Sequence, residues 1–165
     1  MCVAFNTSGG EFVMGDMSCE ELVVLQADLD DESPQVLGAV IGRMLSLGAL
    51  DAHLCPLVMK KNRPGVRLEV LCRAELKDAL VMAMLLETGT LGVKARTVLR
   101  YALARRMESV IVGGHAVGVK CAIHDGAVVR AVPEWDDCAR VAEELLRPVR
   151  DVLDEARALA RVFLP

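Results

Sequence analysis

Three cations fall within four residues at Lys60-Lys61-Asn62-Arg63, directly before Pro64-Gly65. Such a group suits an anion: an arginine forks onto phosphate oxygens while lysines act as point charges. Cations at a hairpin tip also serve as ordinary solvent-facing charges or as blocks against strand aggregation. A second cluster, Asp28, Asp30 and Asp31 with Glu32, offers hard oxygen ligands for a divalent ion next to a helix start. The same acids would equally complement a helix dipole. The third stretch, Glu87-Thr88-Gly89-Thr90-Leu91-Gly92, presents hydroxyls and backbone N–H groups to an anion or forms a plain helix-to-strand turn. It lacks Walker-loop spacing. No Ser-His-Asp arrangement is visible, and His53, His115 and His124 stand apart from one another.

The elements that must position these groups are legible from periodicity. Ala52, Leu54 and Val58 before the cations, and Val66, Leu68, Val70 and Cys72 after them, keep the period of two that marks paired strands. A Pro-Gly turn is expected to join them. Glu21 to Leu29 reads as a buried strand. Ser33 is an N-cap and Pro34 the first residue of a helix whose Val36, Leu37, Val40, Ile41, Met44 and Leu45 form one apolar face, ended by Gly48. A second helix runs from about Ala74 to Glu87, and a fourth strand begins at Val93, with Lys94, Arg96 and Arg100 on one face.

The order βαββαβ is the split-βαβ, ferredoxin-like unit. In its usual antiparallel strand order, residues 28–31, 60–65 and 87–94 meet at one end of the sheet. Three polar motifs distant in sequence then form one site.

Beyond Arg105 a β-meander is expected, with strands at 109–112, 116–123 and 128–132 and turns at Gly113-Gly114 and Asp125-Gly126. Two helices follow, one opened by Pro133-Glu134 and one running toward Phe163. The fold class is therefore α+β, a ferredoxin-like unit (21–105) followed by a β-meander and C-terminal helices (106–165) of the same domain. Residues 1–20, with Gly9-Gly10 and Gly15, read as a flexible lead-in.

Composition narrows the function classes. A chain of 165 residues, 53% hydrophobic, can bury a core, and a net charge of −4 argues against nucleic-acid binding. Six cysteines without a C-x-x-C pair read as reduced thiols rather than a zinc site or disulfide framework. No apolar run is long enough for a membrane span, so a soluble, cytoplasmic protein is expected.

Taken in order, Leu29-Asp30-Asp31-Glu32-Ser33-Pro34, Gly48-Ala49-Leu50-Asp51, Met59 to Gly65, Glu87 to Val93 and Pro133-Glu134-Trp135-Asp136-Asp137-Cys138 resemble the C-terminal domain of the nickel-pincer cofactor nickel-insertion proteins, the LarC family. The resemblance runs from about Leu22 to Ala160. It implies a role in delivering nickel to pyridinium-3,5-bisthiocarboxylic acid mononucleotide, a lyase-type reaction that depends on CTP with Mn2+ or Mg2+. Nickel is the transferred metal, and no ligand for it is assigned in this chain. The C-terminal domain is the nucleotide-binding, oligomer-forming part, so a homo-oligomer is implied, inactive alone and completed by the family's N-terminal half. On that reading Lys60, Lys61 and Arg63 hold the triphosphate, with Lys94 and Arg96 in support and Thr88 and Thr90 as further contacts. Asp30 and Asp31, with Asp28, hold the divalent ion, and Glu134 or Asp137 approaches from the last meander strand. The sequence departs from the family pattern at Glu32 (Met), Gly89 (Thr), Lys94 (Arg) and Val132 (Lys), and near Asp28 (Asn). Two alternatives remain at this stage: a non-enzymatic oligomeric sensor of a nucleotide or metabolite, and a scaffold that has lost its ligand.

Overall fold

The computed structural model describes residues 12–14 and 17–165. Its elements run β1 (Phe12–Met14), β2 (Met17–Leu29), α1 (Pro34–Ser46), β3 (Asp51–Met59), β4 (Arg63–Cys72), α2 (Lys77–Glu87), β5 (Lys94–Val112), β6 (His115–His124), β7 (Ala127–Pro133), α3 (Trp135–Glu144) and α4 (Val149–Ala160). They fall into two compact units, one of residues 20–100 and one of residues 12–14, 17–19 and 101–165.

In the first unit the strand order is β3-β4-β2-β5, the ferredoxin-like order that places the first and third strands of the βαββαβ unit side by side at the centre. β2 and β4 are antiparallel, with Val23 opposite Cys72 and Leu29 opposite Val66. That register puts Val23, Leu25, Ala27 and Leu29 on the same face as Leu68, Val70 and Cys72, beneath Leu37, Val40 and Met44 of α1 and Leu80 and Met84 of α2. Burial of side chains such as Leu25 or Leu68 contributes about 1.5–3 kcal/mol each. The intervening residues Gln26, Asp28, Arg67 and Glu69 take the opposite face. One alternation thus builds the core and deals the charges outward.

Ser33 caps α1 as expected. Its Oγ accepts the Val36 N–H at 3.2 Å, Pro34 opens the helix, and Gly48, at a φ of 94°, lets the chain leave it.

In the second unit β5, β6 and β7 form an antiparallel meander whose Val110, Val112, Val117, Val119, Cys121 and Val128 pack against Cys138 and Val141 of α3 and Val152 and Ala156 of α4. The Gly113-Gly114 and Asp125-Gly126 turns occur where expected, with left-handed φ values that favour such residues.

Four expectations need correction. The fourth ferredoxin-like strand and the first meander strand are one 19-residue strand, β5, because no Gly or Pro interrupts residues 94–112. The hairpin reverses at Lys60–Asn62 rather than at Pro64-Gly65, which already pair with Val58 and Leu57. Val58 keeps the period of two yet is 75% exposed, since it lies next to the hairpin's end. The lead-in assigned to 1–20 lies largely outside the described residues; within it, 12–14 and 17–20 are strand.

Candidate functional site

The tip of the β3–β4 hairpin carries unusual backbone. Met59 pairs with Arg63, leaving a three-residue reversal in which Lys61 and Asn62 adopt φ of 62° and 57°. Asparagine tolerates the left-handed region; lysine gains nothing from it. The strain is held in place by the pairing on either side. Lys60 and Lys61 are exposed, and among the described residues no ion pair is formed by either.

Arg63 does have a partner. Its Nε lies 2.9 Å from Asp30 Oδ2, at the mouth of the loop between β2 and α1. That oxygen is shielded from solvent and accepts no aligned hydrogen bond. Hence the first of the three motif contacts expected from topology is present: hairpin tip to acidic loop. Asp31, one residue on, is exposed.

The second contact joins the acidic loop to the Thr-Gly turn. The Gly89 N–H donates to Glu32 Oε1 at 3.0 Å, and a Cβ on Gly89 would come within 3.0 Å of the same oxygen. Glu32 and Gly89, two of the positions departing from the resembled pattern, therefore meet. A side chain at Gly89 would make the Glu32 carboxylate shift by a few tenths of an ångström. The turn is otherwise self-satisfied: buried Thr88 donates to the Met84 carbonyl at 2.7 Å and accepts the Thr90 N–H, while Thr90 Oγ1 donates to Gly92 O at 3.0 Å. Thr88 thus ends α2, and its hydroxyl does not point outward for an anion as the sequence reading expected.

The third contact is made on the sheet's open face. Asp28 stands opposite Arg67 in the β2–β4 register, and both its oxygens are taken. Arg67 Nε donates to Oδ1 at 2.6 Å, Arg67 Nη2 to Oδ2 at 3.2 Å, and Lys94 Nζ, from β5, to Oδ2 at 2.7 Å. These bonds, from Arg67 first and Lys94 second, hold the Asp28 carboxyl down at about 2. Asp28 is a counter-ion in this arrangement, which corrects its expected place among metal ligands. Arg67, which the sequence reading did not single out, is revealed by pairing across the sheet.

A pH dependence follows from that lowered carboxyl. The stabilisation is complete above the ordinary value of 3.8 and is lost as pH falls through about 2. Acid unfolding of Asp28→Asn should therefore be less steep than wild type between pH 4 and pH 2, as read by circular dichroism. Superimposable acid transitions would show that the pair contributes nothing.

Farther along the same face, Glu69 accepts from Gln26 Nε2, with Arg96 Nη2 at 4.0 Å and His53 Nε2 at 3.9 Å. Arg96 is therefore only loosely held.

Glu134 and Asp137 belong to the second unit. Glu134 binds Lys120 Nζ at 2.7 Å, and Asp137 Oδ2 accepts the Gly118 N–H at 2.8 Å, a backbone bond that lowers its carboxyl. Both fasten the start of α3 to β6.

Metal chemistry is constrained by these placements. No three His, Cys, Asp or Glu side chains among the described residues converge as a metal-holding group. Asp30 and Asp31 remain as oxygen donors, enough for an ion such as Mg2+ or Mn2+ that takes its other ligands from phosphate and water, and too few for a protein-only cage.

Residues 11–153 match the family model described as nickel insertion protein. The chain belongs to the nickel insertion protein family. A pyridinium-3,5-bisthiocarboxylic acid mononucleotide nickel insertion protein of Nocardioides sp. is 44% identical over 86% of this chain. The protein of the same description from Acetivibrio thermocellus is 39% identical over 87%. The chain spans 36% and 35% of the length of these curated relatives.

Solved structures agree on the fold. The apo form of LarC2, described as the C-terminal domain of a cyclometallase involved in synthesis of the NPN cofactor of lactate racemase, superposes with a TM-score of 0.77 at 34% identity, covering 86% of this chain and 97% of that one. A Methanopyrus kandleri protein gives 0.60 at 31%, covering 87% and 90%. This nickel insertion family member therefore has the LarC2 fold, an antiparallel α+β architecture with C-terminal helices. No helix among the described residues is long and apolar enough to cross a membrane.

Proposed function

We propose that this chain is the nucleotide-binding part of a nickel insertion protein, taking CTP with Mn2+ or Mg2+ at the hairpin end of the first unit. The nickel would pass to pyridinium-3,5-bisthiocarboxylic acid mononucleotide within an assembly that includes the remainder of such a protein. The observation that carries the reading is the pair of lysines without ion partners among the described residues, Lys60 and Lys61, beside an Arg63 docked on the shielded Asp30. Cations left uncompensated next to a carboxylate suit a polyphosphate accompanied by a metal.

In this reading Lys60 and Lys61 neutralise the outer phosphates and Arg63 forks onto one of them. Asp30 and Asp31 would hold the divalent ion, whose positive charge would offset that of the phosphates. Lys94 and Arg96 approach from β5, with Thr90 near the mouth of the site. No residue is assigned a bond-making role. A homo-oligomer is part of the proposal, supported by Leu99, Tyr101 and Met107, which alternate along β5 and are more than half exposed.

Calorimetric titration of the chain with CTP, and with ATP for comparison, in the presence of Mn2+ tests the reading. Micromolar CTP binding with a weaker ATP response is expected. Absence of heat with either nucleotide would refute it.

A further inference from the structure

We infer that Arg67 is a positioning residue for the proposed nucleotide site, acting through Asp28 to hold the Lys94 ammonium at the site's edge. The inference rests on the nucleotide reading for what Lys94 serves, and on geometry alone for how Lys94 is held.

Three adjacent strands contribute one residue each: β4 Arg67, β2 Asp28 and β5 Lys94. The middle residue is the shielded one. The Asp28 side chain is 20% exposed, against 67% for Lys94. A lysine on a four-carbon stem samples many positions, and a single carboxylate would turn with it. Here the carboxylate is itself fixed by a two-pronged guanidinium contact, Nε on one oxygen and Nη2 on the other. Among the described residues the Lys94 ammonium donates to Asp28 Oδ2 alone, at 2.7 Å, and its other two N–H groups can meet an anion.

The set carries two positive charges and one negative. It is therefore an attractive edge for phosphate even though each cation is paired. The same logic explains why Asp28 is unsuited to the metal: binding an ion there would have to displace both Arg67 and Lys94. Among the described residues Asp30 and Asp31 have no such double engagement.

The test uses Arg67→Met, which keeps an apolar stem, and Arg67→Lys, which keeps charge without the fork. Two readouts are taken on the full chain: trace acetylation of the Lys94 amine without nucleotide, and Mn2+-dependent CTP affinity. In Arg67→Met, acetylation of Lys94 should accelerate and CTP affinity fall about tenfold, with Arg67→Lys recovering only part of each. Lys94→Met combined with Arg67→Met should bind no more weakly than Lys94→Met alone, the non-additivity expected of residues acting as one unit. A merely structural Arg67 would give additive losses.

The outcomes separate cleanly. If wild type binds no nucleotide, the functional reading fails, and the acetylation comparison still decides whether Arg67 governs Lys94. Unchanged acetylation in Arg67→Met overturns the inference, as does unchanged affinity in a chain that binds CTP.

Discussion

Replacing Lys61 and Arg63 together with alanine is expected to weaken Mn2+-dependent CTP binding by at least about 100-fold. Hydrogen bonds to charged groups contribute about 1.5–3 kcal/mol each, and the double substitution removes two sources of them at the tip of the β3–β4 hairpin. Folding should survive. Both side chains are exposed, Lys61 holds no ion partner among the described residues, and alanine tolerates the left-handed backbone at 61 no worse than lysine does. The Arg63 change has a secondary cost, because Asp30 Oδ2 is shielded and would lose the cation 2.9 Å away. That cost appears in stability, whereas the loss of affinity should track the lysine as well. Titration calorimetry on the double variant checks it, with Arg150→Ala on α4 as a remote-charge control. An affinity within threefold of wild type would remove the hairpin from the site.

Gly65→Ala should be the most damaging single-methyl change in the first unit. A Cβ there would sit 2.7 Å from the Leu29 carbonyl oxygen and 2.7 Å from Met59 Sδ. The methionine could swing away; the Leu29 oxygen belongs to the backbone of a central strand and cannot. Leu29 immediately precedes Asp30, and Met59 immediately precedes Lys60, so any accommodation spreads to both halves of the candidate site. Overpacking of this kind costs about 1–3 kcal/mol. Gly92→Ala provides the internal comparison, since a Cβ there meets nothing within 4 Å. The expected result is a lowered urea midpoint with reduced amide protection in β2 and β4 for Gly65→Ala, and a near-wild-type curve for Gly92→Ala. Equal behaviour of the two variants would mean that the close approach at Gly65 is easily relieved.

The two expectations share a cause. Hairpin tip and acidic loop are coupled through backbone packing at Gly65 and through the Arg63–Asp30 pair. Altering one side therefore alters the other. The Glu32–Gly89 contact ties the third segment into the same set.

Local chemistry made much of this protein readable from its sequence. The α1 cap at Ser33-Pro34, the exit at Gly48, the turns at Gly113-Gly114 and Asp125-Gly126, and the alternation of Leu68, Val70 and Cys72 depend on residues a few positions apart. The βαββαβ order, in the ferredoxin-like strand order it usually adopts, then brings residues 28–31, 60–65 and 87–94 to one end of the sheet. Their contacts bear that out.

What tertiary structure alone decided is which charge meets which. Asp28, Asp30 and Asp31 look alike in the sequence. Register across β2 and β4 gives Asp28 to Arg67, the hairpin's approach gives Asp30 to Arg63, and Asp31 is left exposed. The reversal at Lys61-Asn62, against the Pro-Gly signal beside it, was likewise set by strand pairing. Cap and turn preferences act through the chain's own neighbours and survive in the sequence as patterns. Partner choice among like charges is fixed by distances across strands, and those exist only once the sheet has formed.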